Sequence, residues 1–114
     1  MGNTLNWKER AKQELIHAIE ARKTGFEGKA RVCARRAAGY IIGEYLRRHG
    51  YQTSNESAYY RLKILQNIEK VSPEVREIAG DFLLRITPQG QLPKEVDLLA
   101  SVHTLASQLL GEQL

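Results

Sequence analysis

The apolar positions of this chain recur at helical spacing almost from end to end, and no stretch shows the strict alternation of a half-buried strand. Trp7, Ala11, Leu15 and Ala18 form the first stripe, widened by Ile16 and Ile19, which predicts a helix from about Asn6 to Lys23. Asn6 is a suitable N-cap, and Glu9 three residues on completes a capping box. Gly25 can take the left-handed conformation that closes a helix, and Arg22 and Lys23 suit the negative end of its dipole. The next helix follows after a very short turn, so the two are expected to be antiparallel neighbours.

That second helix covers Phe26 to Gly50, FEGKARVCARRAAGYIIGEYLRRHG, and the rest of the chain is organised around it. About 24 helical residues extend roughly 36 Å. Ala30, Cys33, Ala34, Ala37, Ala38, Ile41 and Tyr45 share one face, where small side chains let another backbone come close. Gly39 and Gly43 fall off this stripe, near Val32 and Leu46. A glycine inside a helix costs about 1 kcal/mol relative to alanine, so two of them four apart predict a second close contact on another side. Two partners are open for it. One is a neighbouring helix of the same bundle. The other is a second copy of the chain, with Val32, Gly39, Gly43 and Leu46 at the interface and arginines as its rim.

His49-Gly50 ends this helix, and Ser54 or Asn55 is expected to cap a third, with Glu56 in its first turn. Ala58, Leu62, Leu65 and Ile68 form its stripe, extended by Ile64 and Val71. Ser72-Pro73-Glu74 is a strong helix start, with serine at the cap and proline at the first position. Val75, Ile78, Ala79, Phe82, Leu83 and Ile86 then give the cleanest periodicity in the chain, stopped by Thr87-Pro88. Pro93 opens a fifth helix with Glu95 and Asp97 near its positive end; Leu98, Val102, Leu105 and Leu109 make its stripe, broadened by Leu99 and Ala106. The terminal GEQL is expected to fray. The pattern predicts an all-α fold: an up-and-down antiparallel bundle of four to five helices in one domain, residues 1–114.

Composition changes this picture little. A chain of 114 residues with 42% hydrophobic and 26% charged residues can bury a core without metal or disulfide. Cys33 is the only cysteine, which excludes an internal disulfide and fits a reducing compartment. No apolar run approaches the ~20 residues of a membrane span. The polar start lacks the apolar core of a signal peptide, and the residues after Gly2 do not complete a myristoylation motif. The expected location is the cytoplasm, with no membrane partner.

Charge changes it more. The net charge is +4, and residues 22–48 hold eight basic side chains against two acidic ones. Lys29, Arg31, Arg35, Arg36, Arg47 and Arg48 are therefore candidates for binding RNA, a nucleotide or an acidic protein surface. The competing expectation is a solvated helix face whose arginines make ion pairs between subunits. Chemistry beyond charge is sparse. There is no phosphate-binding glycine loop, no HExxH, no paired cysteines and no nucleophile motif, so neither cofactor nor metal is predicted. His17, His49 and His103 fall on different elements; His49 suits a helix C-terminus, and the other two border apolar stripes. Cys33, among alanines, reads as a small core residue. Tyr59 and Tyr60 can stack bases, or one packs and the other is solvated.

The order of segments resembles the HEPN superfamily. The matching positions are Ala18, Ala21 and Gly25, then Ala34, Ala37, Ala38, Ile41 and Leu46 in the long helix, and later DFLLRITPQGQLPKEVDLLASV with an arginine before a proline-containing loop. The resemblance implies an up-and-down helical bundle, usually a homodimer. Members include RNA-cleaving toxins and helical partners of nucleotidyltransferases, so a nucleotidyltransferase-like protein is an implied partner. The family's catalytic mark is an arginine followed after four to six residues by a histidine in the later helices. This chain lacks it there. The spacing occurs only at Arg10 and His17 in the first helix, with Ala11 where the family prefers a polar residue. The resemblance therefore carries over no catalytic residue, and it points to a non-catalytic, dimeric binding module; the alternatives are a HEPN-type ribonuclease or toxin component using Arg10 and His17, and a purely structural homo-oligomeric bundle.

Overall fold

Asn6 caps the first helix. Its side-chain oxygen accepts the backbone N–H of Glu9 at 2.8 Å, satisfying one of the open donors of α1 (Trp7–Lys23). The computed structural model describes residues 6–51 and 55–114. Ala11, Leu15, Ala18 and Ala21 are buried along α1, and Gly25 closes the turn at φ +86°. Ile16 and Ile19 do not widen the buried stripe as expected; both are about half exposed. At 100° per residue they lie roughly 160° and 100° around the helix from Ala18, away from α1's main packing partner.

That helix is α2 (Glu27–Arg48), with Phe26 and His49 at its caps. Arg10 lies over Tyr40 and Arg22 pairs with Glu27, so the two helices run antiparallel with their turn-proximal ends together. The predicted small face is buried throughout: Ala30, Cys33, Ala34, Ala37, Ala38, Ile41 and Tyr45.

The third helix, α3 (Ala58–Gln66), starts later than expected. Ser57 is its cap, with Oγ accepting from Tyr60 N–H at 3.1 Å, while Asn55 Oδ1 accepts from Ser57 N–H. Asn55 thus forms a turn before the cap instead of capping; Ser54 lies outside the described residues. Ile68 and Val71 are buried as predicted, in the connection beyond the end of α3. Ser72 caps α4 (Pro73–Phe82), with proline at its start. This helix stops at Phe82 instead of reaching Thr87. Leu83 and Leu84 donate to the carbonyls of Gly80 and Asp81, tightening the last turn, and Ile86 is exposed.

The fifth helix, α5 (Leu98–Leu105), opens at Asp97 and not at Pro93. Asp97 Oδ1 accepts from Leu99 and Ala100 N–H, and the same carboxylate takes Arg22 Nη1 at 3.1 Å. Lys94 reaches Asp81 and Glu77 at 2.8 and 2.7 Å, holding the preceding segment against α4 in a non-helical path. A single π turn, Ala106–Leu110, continues α5 to Gly111.

Buried residues of all five helices join one core, with Phe82, Ile41, Ile42, Leu46, Leu62 and Leu65 among its largest enclosed side chains. The fold is an all-helical bundle, with no strand among the described residues. It also settles what approaches the two glycines of α2. A Cβ at Gly39 would sit 2.8 Å from Ala58 Cβ, and one at Gly43 would sit 2.5 Å from the Arg61 guanidinium. Both atoms belong to α3 of the same chain. Leu46 is 1% exposed and belongs to the core. The close contact foreseen at Gly39, Gly43 and Leu46 for a second copy is therefore made internally. Val32, 45% exposed, is the one of those four that faces solvent.

Candidate anion-binding groove

The glycines decide the site, because they let α3 lie close enough to bring Arg61 across α2. Arg61 Nη1 donates to the Gly39 carbonyl at 3.1 Å, and its Nε is buried with no hydrogen-bond partner among the described residues. A buried unpaired donor costs about 1–3 kcal/mol, more when charged, so this guanidinium is held in place but not satisfied. On one side of it lies a cleft of about 420 Å³, walled by Trp7, Arg10, Tyr40 and Arg47. On the other lies a cleft of about 300 Å³, walled by Arg36, Gly39 and the start of α3 at Ser57 and Ala58. Tyr40, Glu56 and Arg61 line both, so the two form one groove.

Four arginines from three helices meet there: Arg10 from α1, Arg36 and Arg47 from α2, and Arg61 from α3. Two glutamates, Glu44 and Glu56, oppose them, which leaves the groove net positive. Aromatic faces are interleaved with the charges. The Arg10 guanidinium sits 5.8 Å from the centroid of the Tyr40 ring, within cation–π range. Trp7 and Tyr40 are half-buried and packed against the core at the groove's base.

The six basic residues singled out from the sequence do not converge. Arg36 and Arg47 line the groove. Arg35 Nε donates to the Phe82 carbonyl at 3.1 Å, closing the end of α4. Arg31 lies near Glu27 on another face. Lys29 lines a separate recess with His17, Glu20 and Phe26. Arg48 flanks the groove through Glu44. Arg10 and Arg61 were not in that set, and only the Gly39–Gly43 spacing hinted that something crosses α2 there. Arg10 and His17, the pair with family-like spacing, line different cavities. Tyr59 and Tyr60 are both exposed on α3 and line neither cleft; Lys63 Nζ lies 5.7 Å over the Tyr59 ring. His49 packs against Tyr45 with the rings tilted by 36° and their centroids 4.2 Å apart. Cys33 is buried, and burial beside Glu14 pushes its thiol pKa up, away from reactivity.

Glu44 orders the cationic rim. Its carboxylate accepts from Arg47 Nε and Nη2 at 2.9 and 2.6 Å and from Arg48 Nε at 2.8 Å. The Arg47 hydrogen bonds, opposed by burial and helped by that of Arg48, lower the Glu44 pKa from an ordinary 4.5 to about 2. A carboxyl depressed in the folded state stabilises it fully above pH 4.5, and that contribution fades as the pH falls from 4.5 toward 2. Glu44→Gln is therefore expected to flatten the stability–pH curve across this window. Urea titrations at a series of pH values check it, and parallel curves for the two proteins contradict it.

Among the described residues, no group of histidine, cysteine, aspartate and glutamate could hold a metal, and no helix is long and apolar enough to cross a membrane. No family model, curated protein or solved structure matches the chain.

Proposed function

We propose that this chain is a non-catalytic helical binding module, HEPN-like in plan, whose groove takes RNA or a nucleotide. The observation that carries this is the meeting of Arg10, Arg36, Arg47 and Arg61 around Tyr40. Arginine offers paired N–H donors suited to phosphate oxygens, and an aromatic face between them suits a base. The volumes of the two clefts, about 420 and 300 Å³, fall within the range of small-ligand clefts. An acidic protein surface would use the charges but leave Trp7 and Tyr40 without a role.

Arg61 is the residue on which binding depends most, because it borders both clefts. Binding of a single-stranded RNA is expected to weaken as salt rises, with a slope of about −0.7 in log K per log salt for each phosphate contacted. Arg61→Ala lowers the affinity at every salt concentration and makes that slope shallower by roughly one contact. Filter binding at about 50 and 200 mM salt measures both. If the unaltered protein retains no RNA even at the lower salt, the proposal fails. A homodimer through the exposed Val32 stays within the proposal; its mark is a melting midpoint that rises with protein concentration.

A further inference from the structure

Glu56 sits on the wall shared by the two clefts, beside Arg61 and Tyr40. It differs from the other groove carboxylate. Glu44 is occupied by two arginines. Glu56 makes no ion pair among the described residues, although arginines line the groove around it. An ionised carboxylate only accepts hydrogen bonds, and beside a bound phosphate it repels. Its place in a phosphate-binding groove makes sense if the ligand brings N–H groups to that point. A nucleobase with an exocyclic amino group does so, as cytosine does when its N4 amino donates to Glu or Asp.

We infer that Glu56 is a specificity-determining residue that accepts a hydrogen bond from a base amino group, so that the groove favours amino-bearing bases over uracil. The inference rests on the nucleotide-binding role proposed for the groove. Arg61 and its neighbours hold the phosphate, Tyr40 offers a stacking face, and Glu56 reads the edge of the base. Uracil presents a carbonyl at C4 where cytosine presents its amino group, which sets two acceptors against each other.

Fluorescence anisotropy at low salt, with equal-length labelled oligoribonucleotides of cytidine, adenosine and uridine, tests this on the whole chain. The unaltered protein is expected to bind the cytidine or adenosine strand at least about fivefold more tightly than the uridine strand. Glu56→Ala is expected to bring the strands within about twofold, chiefly by tightening uridine binding as the repelling charge is removed. Glu56 is exposed and precedes the cap of α3, so circular dichroism should confirm an intact helix content. Equal affinities for all three strands in the unaltered protein overturn the role of Glu56, as does a preference that survives Glu56→Ala. If Arg61→Ala still weakens every strand in those cases, the groove stands without its base reader. Absence of binding to any strand removes the groove's proposed function itself.

Discussion

Phe82→Ala lowers the unfolding free energy by about 3–5 kcal/mol, the usual cost of truncating an enclosed aromatic. Phe82 is fully buried and ends α4, where that helix stops and the chain turns toward the loop at Thr87. Removing the ring leaves a cavity that the surrounding helices cannot easily fill, because its carbonyl is tied to Arg35 of α2 at 3.1 Å. For a domain of this size the melting midpoint should fall by roughly 10–25 °C. Much of a typical stability of about 5–15 kcal/mol is then gone, and partial unfolding at ordinary temperature is expected. Phe82→Leu keeps most of the volume and should lose distinctly less. Differential scanning calorimetry of the three proteins checks this. Equal midpoints for Phe82→Ala and the unaltered chain would contradict the enclosed position of the ring.

Phe82 is also a case where periodicity in the sequence was enough. Its stripe with Val75 and Ala79 repeats at helical spacing, and all three are buried. The serine-proline start of α4 and the glycine end of α1 were equally legible, because each depends on a local backbone preference. Helix ends set by long-range contacts were not. The stripe of α4 continues to Ile86, yet the helix stops four residues earlier. Pro93 looks like a helix start, but Lys94 is drawn to Asp81 and Glu77 and the helix waits for Asp97. Propensity proposes these boundaries, and tertiary contacts move them: the Arg35 bond to the Phe82 carbonyl at the end of α4 and the Lys94 ion pairs before α5.

The groove shows the same division. Charge counting found Arg36 and Arg47 because they lie in the basic stretch of α2. It could not find Arg10 and Arg61, which lie on other helices, outside the basic stretch of α2. It also could not separate Arg35, which is spent on a helix end, from Arg36 beside it in sequence. Convergence depends on which helix lies across which face. The two interior glycines are where the sequence recorded that information, without naming the helix that crosses them.

Gly39→Val tests that record. The first added carbon already meets Ala58 Cβ at 2.8 Å and Ala58 Cα at 3.0 Å, so a backbone atom of α3 must move. Two further methyl groups make relaxation harder, and overpacking of this kind costs about 1–3 kcal/mol. Replacing a helical glycine opposes this by a few tenths of a kcal/mol through helix propensity, too little to reverse the sign. Gly28, in the first turn of the same helix, supplies the control: nothing lies within 4 Å of an added Cβ there. Gly28→Ala is expected to stabilise by roughly 0.4–1 kcal/mol. Urea unfolding of both variants at two protein concentrations separates the possible partners of the glycine face. An internal α2–α3 contact gives the Gly39→Val loss at both concentrations alike. A contact between copies gives a loss that grows with concentration, because it would remove dimer stabilisation that depends on mass action. The substitution should also weaken the RNA binding proposed for the groove, since pushing α3 away breaks the Arg61 bond to the Gly39 carbonyl and moves the guanidinium that both clefts share. Loss of stability with RNA affinity unchanged would mean that the groove does not depend on the close approach of these two helices.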